Sequence, residues 1–324
     1  SCLGQNRKKK IILIVIFSII ALIGIAVLVV CLLLFLKNDA KVVTLKNLNL
    51  TLIGETYPDG QRITAVAIDF IVEDNEDPEY TIDSSKLTSH TFSVEERNIT
   101  SIHSSSSLSN PHKVENGRYV IIELDPKDPG APIVYRMDEI NFQGRKNVTL
   151  HLQQRADIDL TNGNYLQKTS KTYTNDPDIN KILNLIVDEF KTDIYIKEED
   201  HLQNLTYNIY IPKSLHNSND DEKYPLILFM HDASVMCNDT RMTLFQGLGA
   251  TVWATEEEQK KHEAFVVAPC FTEVIVNDSY MYTTQYLHVI PMLNDIINNK
   301  YKNKVDTNRL YTTGQSMGCM ASIS

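Results

Sequence analysis

No CxxC pair, no GxGxxG and no P-loop pattern occurs in the 324 residues, which excludes the common redox, dinucleotide and nucleotide-phosphate signatures. Only five cysteines are present, Cys2, Cys31, Cys237, Cys270 and Cys319, and none stands at metal-ligand spacing with a histidine. No metal and no cofactor are expected. Basic residues are in deficit: 31 Lys and Arg face 41 Asp and Glu, a net charge of −10. A field of that sign argues against nucleic acid as a partner. Disorder is not indicated either. An apolar share of 43 % with 22 % charged residues is that of folded protein, and the length suits about two domains.

What is present begins with an apolar run, residues 11–36, interrupted only by Ser18 and Gly24. The run is long enough to span a bilayer as one helix and longer than the core of a cleavable signal. Arg7, Lys8, Lys9 and Lys10 precede it directly. The positive-inside rule then makes residues 1–10 a cytoplasmic tail, 11–36 a single transmembrane helix in the cell membrane, and everything from about residue 38 extracellular. Without those four residues and Lys37 the external part carries about −15. Cys237, Cys270 and Cys319 fall outside, and three cysteines cannot all pair internally. A Cys237–Cys270 bridge suits an oxidising compartment; buried free thiols are the reading favoured by the absence of any CxxC. Six N-x-S/T sequons, at Asn49, Asn98, Asn147, Asn204, Asn238 and Asn277, follow from the abundance of Asn.

Residues 46–160 read as an all-β sandwich. Short alternating segments, ITAVAIDFIV, HTFSVEE, RYVIIEL and VTLHLQQ, are punctuated by turn clusters such as YPDG, EDNEDP and DPKDPG. No cluster of His, Cys or paired carboxylates recurs there, so this part positions or binds. After a connector, 161–184, the pattern changes. DINKILNLIVDEF, residues 178–190, has helical apolar spacing and also suits linker with strand. KTDIYIKEED and LTYNIYIPKSL alternate as a hairpin. YPLILFMHD, EAFVVAPC and RLYTTGQS are strands of the kind buried on both faces, and YLHVIPMLNDIINNKY, residues 286–301, is an amphipathic helix with Pro291 in or near its first turn. Strand, helix and strand in this order give residues 185–324 a mostly parallel α/β sheet.

Within that sheet, TTGQSMGC contains Gly314, Ser316 and Gly318 at GxSxG spacing. Such a triplet arises by chance about 0.1 times in a chain of this length, so context decides. Here a strand runs into it and a helix can start after it, which is what a nucleophile elbow requires. Ser316 is then the catalytic nucleophile, and Gly314 and Gly318 give its turn clearance. The Met317 N–H and the turn at His231, Asp232, Ala233 and Ser234 supply the oxyanion donors.

At these residues the sequence resembles the α/β-hydrolase esterases and predicted peptidases that carry an N-terminal immunoglobulin-like domain, related to polyhydroxybutyrate-depolymerase-like enzymes. LTYNIYIP, YPLILFMHDAS, QGLGATVWATEEEQKKHEAFVVAP and NRLYTTGQSMG carry the resemblance, with GRYVIIELDP in the Ig-like part. It covers about residues 46–324 and implies a partial α/β-hydrolase, with Gln246, Gly247, Leu248, Gly249 and Trp253 near the site mouth. His231 to Ala233 correspond to the oxyanion segment, but Asp232 stands where glycine is usual and brings a carboxylate near a developing oxyanion. A second departure concerns the triad. The fold runs Ser, then Asp or Glu, then His along the chain, and neither type follows Ser316; a C-terminally truncated sequence is the expectation. The implied function is a membrane-anchored, extracellular serine hydrolase, an esterase acting on small or polymer-linked esters in preference to a peptidase. The alternative is a surface adhesion or glycan-binding protein with a degenerate hydrolase half, for which Asp232 is the support.

Overall fold

The computed structural model describes residues 23–25, 40–72, 80–136, 142–196, 204–217, 222–235 and 237–323. The chain is a mixed, β-rich fold, which corrects the expected architecture in two respects. First, among the described residues no helix is long and apolar enough to cross a membrane; of the run 11–36 only residues 23–25 are described, and the rest of the expected anchor lies outside them. Second, the α/β sheet is mixed and resembles a hydrolase sheet only in part.

The principal sandwich strands are β1 (Leu45–Tyr57), β2 (Gly60–Val72), β3 (Phe92–Val94), β4 (Ile99–Ser105), β5 (Tyr119–Leu124), β6 (Val134–Arg136), β7 (Gln143–Arg145), β8 (His151–Gln154), β9 (Thr172–Thr174) and β10 (Leu183–Asn184). One sheet has the order β10-β1-β2-β5-β4 and another the order β9-β8-β3. A short sheet of Val42–Val43, Ile158–Asp159 and Tyr165–Leu166 and the β6–β7 hairpin complete this part. Alternation dictates the packing: Leu52, Ile63, Ile68, Val120, Ile122 and Leu152 turn into one shared core, as expected of half-buried strands.

The stretch 161–184, expected as a connector, supplies strands to this sandwich. Thr172–Thr174 pairs with β8, and Leu183–Asn184 runs parallel to Ile53 and Gly54 of β1. The apolar spacing of 178–190 accordingly gives no α-helix but two 3₁₀ turns around β10. The reason is local. Asn184 is buried, its amide donating to Ile182 O at 2.7 Å and its Oδ1 accepting from Gln61 Nε2 at 2.5 Å, and Ile186 takes φ 67°, a left-handed conformation that a β-branched residue cannot hold in a helix.

One ion cluster of the sandwich gives a pH-dependent test. His112 Nδ1 lies 2.7 Å from Glu123 and Nε2 3.3 Å from Glu55. Hydrogen bonds to Glu123 first, then Glu55, raise its pKa to about 10 against the burial that opposes them. A folded pKa above the unfolded value near 6.5 stabilises fully below 6.5, and the gain is lost as pH rises towards 10. The difference in melting temperature between the natural protein and His112→Gln is therefore expected to be widest at pH 5 to 6.5 and to close by pH 10; a gap of constant size would contradict it.

The α/β part is a five-stranded sheet of β11 (Lys191–Tyr195), β12 (Leu205–Tyr210), β13 (Tyr224–Met230), β14 (Phe265–Cys270) and β15 (Val305–Gly314), in the order β11-β12-β14-β13-β15. The hairpin β11–β12 and the pair β12–β14 are antiparallel, whereas β13 is parallel to both β14 and β15. Two of the three runs expected to be buried on both faces, β13 and β14, are so, whereas the third, β15, is exposed over most of its length. Leu226, Leu228, Met230, Phe265 and Val267 enter one core, and Phe229, Val266 and Ala268 the opposite one. Between β13 and β14 lie α1 (Met242–Phe245), α2 (Leu248–Thr251) and α3 (Glu256–Lys261). Gly249 admits no side chain because its Cβ would stand 2.1 Å from the Phe229 ring.

The helix expected over 286–301 is present in pieces: α4 (Thr284–Leu287), α5 (Val289–Asp295) and a π turn, Ile296–Lys300. Pro291 accounts for the break after Leu287, since it has no N–H for the Leu287 carbonyl and its ring crowds that group. The last strand, β15, is the sheet's open edge, with Leu310 45 % and Tyr311 55 % exposed. It is followed by α6 (Met317–Ser322).

Candidate active site

The carboxyl ends of the adjacent parallel strands β13 and β15 bring together the residues singled out in the sequence, as open α/β sheets characteristically do. β15 ends at Gly314, paired with Met230, the last residue of β13. Gln315 N donates to Met230 O at 3.1 Å, which folds the chain back over the end of β13, and α6 begins at once: Gly318 N donates to Gln315 O at 2.9 Å and Cys319 N to Ser316 O at 2.9 Å.

Between strand and helix stands Ser316, at φ 51° and ψ −114°. No ordinary L-residue rests comfortably there, and such strain of about 1–3 kcal/mol persists only where its surroundings hold it. The glycines are that surrounding. A Cβ on Gly314 would lie 2.2 Å from the Gly318 carbonyl carbon, and a Cβ on Gly318 would lie 2.0 Å from Met230 O. Ser316 itself is exposed.

Around it, three backbone amides are unspent. The N–H groups of Met317, Asp232 and Ala233 make no hydrogen bond among the described residues, although Met317 and Asp232 are buried. A buried N–H without a partner is rare. The Asp232 carboxylate does not occupy them. Its Oδ1 accepts from Ser234 N at 2.6 Å and from Ser234 Oγ at 2.5 Å, a turn that holds the charge within its own loop.

His231 is fully buried. Its Nδ1 lies 2.7 Å from Asp232 O and its Nε2 accepts from Phe271 N at 2.9 Å, which makes Nδ1 the protonated nitrogen. Burial lowers its pKa to about 4, so the ring is neutral at pH 7 and both nitrogens are engaged. His288, also buried, packs its ring 6.3 Å from Tyr195. Among the described residues, no histidine and no carboxylate hydrogen-bonds Ser316 Oγ.

The reading of free thiols is corrected: Cys237 and Cys270 form a disulfide, with Cα atoms 5.5 Å apart. The loop after β13 folds back over the end of β14, which brings together cysteines that no local spacing relates. Nε2 of His231 and the two sulfur atoms lie within 4.8 Å of one another. They make a poor metal centre, because the sulfurs are bonded to each other and the imidazole lone pair already accepts from Phe271 N. Cys319 is a free, exposed thiol.

Sequence reasoning missed the sandwich's share in this site. Gln143 and Arg145, on β7, reach the loop after β13. Gln143 N donates to Ser234 O and Gln143 Nε2 to Ser234 Oγ, both at 2.8 Å. Arg145 reaches Asp239 Oδ2 at 3.3 Å and lays its guanidinium 3.7 Å over the Phe245 ring. No local signal marks these residues; their role depends on contacts far along the chain. Gly247 faces Pro58 O, and Trp253 packs half-buried against the core that holds Phe229 and Phe245, which places Trp253 in the packing of the α/β half.

Residues 49–167 match the family model of the esterase Ig-like N-terminal domain. The sandwich is similar to the esterase Ig-like domain. Over 84 % of this chain and 72 % of the other, the structure is similar to that of a thermostable esterase, at 26 % identity and a TM-score of 0.70. Lesser likenesses link the chain to an S-formylglutathione hydrolase from Agrobacterium tumefaciens (12 % identity, TM-score 0.29, 41 % of this chain and 50 % of that one). They extend to a ferulic acid esterase (18 %, TM-score 0.27, 41 % and 52 %). No curated protein matches the chain. The family match and the likeness to the thermostable esterase support an ester hydrolase with an N-terminal Ig-like domain.

Proposed function

We propose that Ser316 is the nucleophile of this ester hydrolase and that the amides of Met317, Asp232 and Ala233 form its oxyanion site. The observation that carries the reading is the conformation of Ser316, φ 51° and ψ −114°, held between two glycines whose side-chain space is filled by backbone. A turn that served only to change direction would place glycine at the strained position; retaining Ser there has a cost that reactivity explains. In the reaction the Ser316 oxygen attacks the ester carbonyl carbon, the carbonyl oxygen takes the charge against the free amides, the alcohol leaves, and water releases the acid. The proton of Ser316 passes to a base other than His231, whose nitrogens are spent. Asp232, the support for a degenerate site, turns its charge into the loop and leaves no observation favouring adhesion. The Cys237–Cys270 disulfide supports an oxidising compartment as the place of action.

The test is a fluorophosphonate probe applied to the protein in the cells that make it, followed by mass mapping. Phosphonylation of Ser316, abolished in Ser316→Ala, is the expected result. An unlabelled Ser316 in protein that hydrolyses a short-chain ester would overturn the assignment.

A further inference from the structure

A line of polar contacts joins the Ig-like domain to the proposed oxyanion segment. Gln143 Nε2 donates to Ser234 Oγ at 2.8 Å, and Ser234 Oγ donates to Asp232 Oδ1 at 2.5 Å. The direction of the line is fixed by chemistry. An ionised carboxylate only accepts, so the single Ser234 hydroxyl proton goes to Asp232, and the remaining Ser234 lone pairs receive the amide of Gln143. The Gln143 main chain donates separately to Ser234 O at 2.8 Å, so the hairpin grips this one residue through both backbone and side chain. The carboxylate it secures belongs to Asp232, a residue only 6 % exposed, whose N–H is among the unspent amides.

We infer that Gln143 is a positioning residue for the oxyanion site: acting through Ser234, the Ig-like domain keeps the Asp232 carboxylate turned away from the amides that receive the developing negative charge. This deepens the proposed function and rests on it. A buried carboxylate with a weakened hold on its hydroxyl donor keeps only the Ser234 N–H and turns towards other donors, and the unspent amides of Asp232 and Ala233 lie in the same loop. A carboxylate on those amides both blocks them and opposes the oxyanion. The loss falls on the transition state, so kcat drops while KM holds.

The expected result for Gln143→Ala in the full protein is a fall in kcat of about 10-fold, below the 10²–10³ that removal of one donor outright has cost in a serine protease, with KM within 2-fold. Adding Asp232→Asn, which removes the charge, should restore most of kcat. Ser234→Ala cuts the same line while leaving the main-chain grip of the hairpin, and serves if Gln143→Ala folds poorly; the same loss and the same rescue are expected. Unchanged kcat in both variants, with Ser316→Ala inactive, would overturn the inference and leave the nucleophile standing. A parallel loss of kcat and melting temperature that Asp232→Asn does not rescue would also overturn it, since it would reduce Gln143 to a packing role. Full activity in Ser316→Ala would instead refute the reading of the site itself.

Discussion

Gly318→Ala is expected to lower the melting temperature of the α/β half by roughly 10 °C or more and to eliminate probe labelling of Ser316. The added methyl would sit 2.0 Å from Met230 O, 2.5 Å from Met230 C and 2.8 Å from His231 O. All three are backbone atoms at the end of a central strand, so no side chain can rotate away; relief requires moving α6 off the sheet. Overpacked cores commonly lose about 1–3 kcal/mol. A backbone collision with no soft partner belongs at the upper end or above, about 4 kcal/mol, which in a domain of this size corresponds to the stated shift. Gly130→Ala is the control: its Cβ would meet only Arg97 Cδ, at 3.4 Å, and the melting temperature should hardly move. Thermal unfolding of the two variants, followed by circular dichroism, decides the matter. Equal stability would mean that the close approach of helix and strand is not what the glycine serves.

Removal of the Cys237–Cys270 disulfide is expected to have a comparable effect. It closes a loop between cysteines 33 positions apart, for which loop-closure entropy gives about 3–4 kcal/mol. Within that loop lie α1, α2 and α3, and Ser234 stands just before it. The double variant Cys237→Ala with Cys270→Ala should lose that stability in urea unfolding, and the natural protein under a reducing agent should match it. An unchanged midpoint in both would show that the bridge constrains nothing the fold does not already hold. Cys319, exposed and unpaired, supplies the contrast, since Cys319→Ser should be neutral.

Legibility in the sequence divides along a physical line. The β11–β12 hairpin and the doubly buried strands β13 and β14 could be read directly, because alternation and continuous apolarity record contacts made within a few residues, whereas β15, expected as a third doubly buried strand, is an exposed edge. In GQSMG the clearance at Gly314 is local, against Gly318, whereas that at Gly318 is against Met230, far along the chain. Of the two readings open for residues 178–190 the linker with strand holds, because a buried Asn184 and a left-handed Ile186 override the apolar period; residues 286–301 are helical with Pro291 in the first turn of α5, and a short separate helix precedes it. The disulfide, the inward turn of the Asp232 carboxylate and the reach of Gln143 depend on segments distant in the chain, and composition has no record of them. The parallel character of the sheet was overestimated because β11 and β12 read as a separate hairpin, whereas β12 also pairs antiparallel with β14. Composition at 11–36 speaks only to the length and apolarity of that run, and the described residues contain no spanning helix.

The hydrogen bond from Gln315 to the Met230 carbonyl, and the seating of Gly318 against the same carbonyl, have a kinetic meaning. Nothing in the octapeptide around Ser316 can hold its dihedral angles alone; they exist only once two strands far apart in the chain have closed the intervening loop and aligned. Contacts of such high contact order form late, after the local hairpins. The left-handed turn at Ser316 is thus a property of completed topology, which the segment alone does not hold.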